Sequence, residues 1–122
     1  MAEIRPRISV DYDENATIVT FTDEKILEEN DIVALQESVM SVLEQAERIN
    51  LILDFCNVRF LSSAVLGLLI RVSKKTYEQD GQLKLCNISP NIYEVFKITR
   101  LTKIFDISEN VKSAIEDLDK TD

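Results

Sequence analysis

The chain opens on an alternating pattern of apolar and polar residues. Ile8, Val10 and Tyr12 share one face, Asp13-Glu14-Asn15 turns the chain, and Ile18, Val19 and Phe21 resume the run. Period-two alternation around a polar turn predicts an antiparallel hairpin. A polar stretch from Thr22 to Asn30 follows, with Asn30 read as an N-cap before Asp31. Ile32, Leu35, Val39, Val42, Leu43 and Ala46 then recur at helical spacing, with Gln36, Glu37, Glu44 and Glu47 on the wet side. Ile49 to Phe55 differs in kind. Its nearly continuous apolar run predicts a central strand covered on both faces.

Beyond Phe60-Leu61 and two serines, Val65, Leu66, Leu69, Val72 and Tyr77 give a second helix, stopped by Asp80-Gly81. Leu83 and Leu85 mark another strand. Ser89-Pro90 places a cap ahead of a proline at the first helical position, so Ile92, Val95, Phe96 and Thr99 fall on a third helix. Ile104-Phe105 reads as a short edge strand. Ser108 reads as the cap of a last helix carrying Val111, Ala114, Ile115 and Leu118. A hairpin followed by alternating strands and helices implies an α/β fold, a mixed sheet of four to five strands with about four packed helices. Residues 1–122 form a single domain with a core of about 7–118, leaving 1–6 and 119–122 as loose ends.

Composition narrows the chemistry. No His is present, which removes imidazole-based triads and the commonest zinc ligand. Two Gly cannot build a phosphate-cradling loop. The net charge of −8 argues against nucleic acid. No apolar stretch is long enough to span a membrane, and the start of the chain lacks a secretory h-region, so a reducing cytoplasmic setting is the simplest expectation. Cys56 and Cys86 are then small apolar packing groups. No cofactor and no metal site is expected, and Asp11, Asp13, Asp23 and Asp31 lack calcium-loop spacing.

The informative window is Leu51 to Leu69, where a buried strand ends in Asp54 and Ser62-Ser63 open a helix. A serine there has two readings. Its hydroxyl can cap the helix, contributing ~1 kcal/mol. Alternatively it can accept a phosphoryl group, which free N–H groups and the positive end of the helix dipole would stabilise. A hydrolase is disfavoured. No GxSxG elbow surrounds either serine, and Lys74 and Lys75 lie ~16 Å along the helix from Ser63. An enzyme or small-ligand reading rests only on a possible pocket near the strand ends.

At this window the chain resembles the STAS domain, specifically bacterial anti-sigma-factor antagonists. The family's characteristic stretch is a hydrophobic strand ending in Asp, two or three residues, an apolar pair, and Asp-Ser-Ser/Thr-Gly-Leu-Gly opening a helix; here Leu53-Asp54, Val58, Phe60-Leu61, Ser63 and Leu66-Gly67 match it in order and spacing. Lys25-Ile26-Leu27-Glu28 matches its second, weaker motif, Gly-x-Leu-Asp. The resemblance implies a non-enzymatic antagonist in signal transduction and transcription regulation. Such an antagonist binds an anti-sigma factor that is also a serine kinase, is switched off by serine phosphorylation, and is restored by a phosphatase. By position the acceptor is Ser63, with Ser62 the second choice. Glu28, Ser62, Ser63, Ala64, Val65 and Leu66 fall on the partner-binding surface. Three departures stand out: Ser62 replaces the motif Asp, Ala64 follows the acceptor, and Val65 replaces the motif Gly. They suit an alternative, a non-switching STAS interaction or scaffold module in a larger signalling or transport complex.

Charge is unevenly spread. Residues 1–50 carry a net −8, residues 51–105 a net +4 and residues 106–122 a net −4. This suggests two faces of opposite sign, with Arg59, Arg71, Lys74 and Lys75 placing the candidate site on the basic one.

Overall fold

A computed structural model of the chain describes residues 3–45 and 48–119. The predicted hairpin forms as β2 (Ile8–Tyr12) and β3 (Thr17–Phe21), paired antiparallel with Val10 opposite Val19. β5 (Leu51–Asp54) runs parallel between β3 and β7 (Leu83–Cys86), and all four of its residues are buried. Its apolar run is explained by two separate cores. Leu51 and Leu53 face the main core, with α1 (Glu29–Leu43), α2 (Ser63–Glu78) and α3 (Pro90–Ile98). Ile52 faces the opposite side, where Ala114 and Leu118 of α4 (Val111–Asp119) cover it.

The main sheet has six strands rather than the four to five expected, in the order β1-β2-β3-β5-β7-β8. The extra strand is β1 (Glu3–Arg5), which pairs with β2 inside a segment read as a loose end. Its central Ile4 is exposed, so no hydrophobic alternation announced it. Two further strands of two residues each, β4 (Lys25–Ile26) and β6 (Phe60–Leu61), form a separate parallel pair.

Several boundaries shift. α1 starts after Glu28, not Asn30, and that cap makes no side-chain bond that a sequence pattern would signal. Ala46 and Glu47, assigned to this helix from the sequence, lie outside the described residues. The edge strand is β8 (Asp106–Ser108); Ile104-Phe105 instead follow a 3-10 turn at Leu101–Lys103. Ser108 therefore ends a strand, its hydroxyl 3.1 Å from the Asp117 carboxylate. Asn110 caps α4, its Oδ1 accepting from Ser113 N–H at 2.9 Å. Tyr77, Val95 and Thr99 lie on the exposed sides of their helices or at a helix end.

The stop at Asp80-Gly81 holds, for a reason of packing. Asp80 takes a left-handed conformation (φ 63°), and a Cβ on Gly81 would overlap the Ile49 carbonyl oxygen. The backbones meet too closely there for any side chain. Cys86 belongs to the second core, as expected, and burial, followed by the Asp54 and Cys56 charges, pushes its thiol up to about 12. Cys56 departs from the expectation, because it is exposed. Partial desolvation and then the Asp54 carboxylate still raise its thiol above the ordinary value. Neither thiol sits in the electropositive setting that makes a reactive thiolate.

Candidate functional site

The small β4–β6 pair builds the site. Glu24 O accepts from Arg59 N–H (2.8 Å) and Phe60 N–H (3.2 Å), and Ile26 O accepts from Ser62 N–H (3.0 Å). Lys25 Nζ lies 5.7 Å from the centre of the Phe60 ring. These bonds lay the segment entering α1 beside the segment entering α2. Two stretches separated by more than thirty residues thereby share one surface.

Asp54 anchors this arrangement from behind. It is buried, and its Oδ1 accepts from Cys56 N–H and from Asn87 Nδ2, each at 3.0 Å. The carboxylate fixes the chain as it leaves β5 and ties it to the loop after β7, where Asn87 is left-handed (φ 54°). Its role is positional.

The two serines are not equivalent. Ser62 occupies the N-cap of α2 with extended backbone (φ −86°, ψ 163°), yet its hydroxyl makes no cap bond. Ser62 Oγ is buried and has no hydrogen-bond partner among the described residues. The contrast with α3 is direct, since Ser89 Oγ accepts from Ile92 N–H at 3.4 Å. Ser63, the first residue of α2, is exposed, as are Ala64 and Glu28. Val65 and Leu66 are buried in the main core, on the stripe they form with Leu69 and Val72. Val65 therefore presents no side chain to a partner, although it stands where a bare backbone was expected. α2 has no acidic residue in its first turn, which leaves the positive end of its dipole unopposed from within the helix.

Beside Ser62 and Ala64 an open groove of about 400 Å³ runs along the α1–α2 seam. Leu27 and Glu29, which flank Glu28, line it together with Ile32, Val33, Gln36 and Arg71. Leu27 and Val33 are each half exposed despite being aliphatic. Arg71 closes the far end, its Nε (3.1 Å) and Nη2 (2.7 Å) both donating to Gln36 Oε1. Sequence reading missed Val33, Gln36 and this pairing because they depend on the α1–α2 contact; Val33, an aliphatic on the polar side of α1, was the one available signal.

The electrostatic expectation needs correcting. Arg59 is paired with Glu24 at 3.6 Å, and Glu29 lines the same groove as Arg71. The site sits on a boundary between acidic and basic surface, because β4 and the start of α1 bring acids from the first third of the chain against α2. At the strand ends a separate open depression of about 380 Å³ includes Cys56, Asn87 and Ser89. Phe55, Val58, Arg59, Ile88 and Glu109 complete its lining. Among the described residues no cluster of His, Cys, Asp and Glu could hold a metal ion, and no helix is long and apolar enough to cross a membrane.

Comparison with known proteins agrees with this architecture. The STAS domain family model matches residues 7–114. An anti-sigma-B factor antagonist of Bacillus subtilis is 30% identical over 82 residues, covering 67% of this chain and 73% of the relative. An anti-sigma F factor antagonist of Paenibacillus polymyxa is 24% identical over 113 residues, covering 93% and 95% of the two chains. Among solved structures, a STAS-domain anti-sigma-factor antagonist from Planctomyces limnophilus superposes with a TM-score of 0.80 at 22% identity, covering 88% of this chain and 93% of that one. The matched span includes both motif windows, the buried strand and the opening of α2, and on that ground the chain belongs to the STAS domain family.

Proposed function

We propose that the protein is an anti-sigma-factor antagonist. It engages an anti-sigma factor with serine-kinase activity through the α1–α2 groove and the first turn of α2, and phosphorylation of Ser63 switches it off. The observation that carries this reading is the exposure of Ser63 at an N-terminus with no acid in its first turn, between Ser62 and Ala64, which line the groove with half-exposed Leu27 and Val33. A phosphate on Ser63 gains from the helix dipole by ~0.3–1 kcal/mol within the protein. At an interface, the same dianion repels acidic groups and must be desolvated, which costs the partner its binding energy. The curated relatives are anti-sigma factor antagonists, which supports the assignment of the role. Ser62, with its hydroxyl buried, ranks below Ser63 as acceptor. A phosphatase would reverse the modification, and the reaction needs no cofactor from this chain.

Incubation with the serine-kinase anti-sigma factors of the source organism and ATP, followed by intact-mass measurement, tests the switch. One added phosphoryl group, absent in Ser63→Ala and retained in Ser62→Ala, is expected. A phosphoryl group that survives Ser63→Ala overturns the acceptor assignment. The second reading, a non-switching interaction module, draws on Ser62 standing where the family motif has Asp. It gains if Ser63→Asp leaves partner affinity unchanged.

A further inference from the structure

Arg5, Arg7 and Arg59 each reach a carboxylate of their own chain, at 2.7, 2.6 and 3.6 Å. Arg71 does not. Its acceptor is the neutral amide oxygen of Gln36, which takes both the Nε and the Nη2 hydrogen bond. Nη1 lies over α2 at Gly67, where an added Cβ would stand 3.4 Å from it, and makes no hydrogen bond among the described residues. A planar fork built for bidentate carboxylate recognition is thus held in place by one weaker, single-atom acceptor. The fork stands at one end of the groove, with Glu29 and the half-exposed Leu27 and Val33 along its length.

Resting on the antagonist reading above, we propose that Arg71 is a specificity-determining residue of the docking groove, and that the anti-sigma factor seats in it a segment bearing an apolar side chain followed by a carboxylate. The apolar side chain covers Leu27 and Val33. The carboxylate replaces Gln36 Oε1 on the Nε–Nη2 edge of Arg71, exchanging a neutral acceptor for a charged one. Gln36 holds the guanidinium in position beforehand, which lowers the ordering cost of binding. Charge complementarity selects this occupant: the far end of the groove offers a cation with no counter-ion among the described residues, and the near end offers Glu29, which disfavours a second acid there. Gln36 is the register that keeps Arg71 available. A Glu at that position would pair Arg71 internally and close the site.

The experiment is calorimetry of the intact chain with each serine-kinase anti-sigma factor of the source organism, purified separately. With the one that binds, Arg71→Gln is expected to weaken affinity by roughly tenfold or more and to flatten its dependence on salt. Arg71→Lys recovers part of the loss, because the charge remains and the fork does not. Gln36→Glu weakens binding while preserving or raising thermal stability, a combination that damage to the fold would not produce. Lys74→Gln, removing an exposed cation one turn away, changes affinity less than about twofold. Reversing the partner acid to Arg, combined with Arg71→Glu, restores binding. Unchanged affinity in Arg71→Gln, or in Gln36→Glu, overturns this inference and leaves the antagonist reading standing. Absence of binding to every such factor by the unmodified chain overturns both.

Discussion

Replacing Ser62 with alanine separates two accounts of how α2 begins. If the serine hydroxyl caps the helix, its loss costs ~1 kcal/mol, the usual value for a serine N-cap. Ser62 Oγ is instead buried without a partner among the described residues and accepts no bond from the first turn. A buried polar atom in that state is itself a liability of ~1–3 kcal/mol relative to a satisfied one. Removing it takes away an unsatisfied group and no bond. The expected change for Ser62→Ala is therefore between no effect and a gain of ~1 kcal/mol. Ser89→Ala supplies the internal standard, because Ser89 Oγ does accept from Ile92 N–H at 3.4 Å. That variant should lose ~0.5–1 kcal/mol, the low value reflecting a long bond. Urea unfolding reads both. With m of ~2 kcal/mol/M, a loss of ~1 kcal/mol moves the midpoint by ~0.5 M, well outside measurement scatter. Ser89→Ala should move to lower urea while Ser62→Ala stays put or moves higher. A drop for Ser62→Ala as large as the capping value would refute the reasoning and identify Ser62 as an ordinary cap.

Three further outcomes follow from the packing. Gly81→Ala forces a methyl group into the Ile49 carbonyl and should cost ~1–3 kcal/mol or more by chemical denaturation, unlike Gly67→Ala, whose Cβ meets only the end of the Arg71 side chain. Asp54→Ala leaves Cys56 N–H and the Asn87 amide without their acceptor and should destabilise by ~2–3 kcal/mol; Asp54→Asn, which keeps an acceptor oxygen, should lose clearly less in the same assay. Burial holds Cys86 at about 12 against an ordinary 9, so its contribution is intact below pH 9 and is lost as the pH rises toward 12, at no more than ~1.4 kcal/mol per pH unit. Stability measured across that window should fall less steeply in Cys86→Ala than in the unmodified chain; equal slopes would contradict a buried neutral thiol.

The elements legible in the sequence were those whose packing repeats along the chain. β2 and β3 alternate because one face is core, and β5 does not alternate because Leu51 and Leu53 meet one core while Ile52 meets the other. Ser89-Pro90 announced α3 because both residues act locally. β1 was invisible, since exposed Ile4 reverses the usual signal. β4 and β6 were invisible as strands because two residues cannot display a period, and their pairing is specified only by contact with each other. Ser108 was misread as a cap because Ser and Asn cap equally well; the register of β8 against β7 places Ser108 beside Cys86 and leaves the cap to Asn110. For the site, Ser63 followed from position within a motif and its exposure from the stripe of Val65, Leu66 and Leu69 turning inward. The partnership of Arg71 with Gln36, residues 35 apart, exists only once α1 and α2 lie side by side.

A phosphate on Ser63 is proposed to change what this surface binds. The most direct measurement compares, by calorimetry, the affinity of the unmodified chain and of the chain stoichiometrically phosphorylated on Ser63 for the same anti-sigma factor. The account predicts a loss of roughly tenfold or more on phosphorylation, equivalent to ~1.4 kcal/mol, with Ser63→Ala binding as the unmodified chain does. Equal affinity of the phosphorylated and unphosphorylated chains would contradict it.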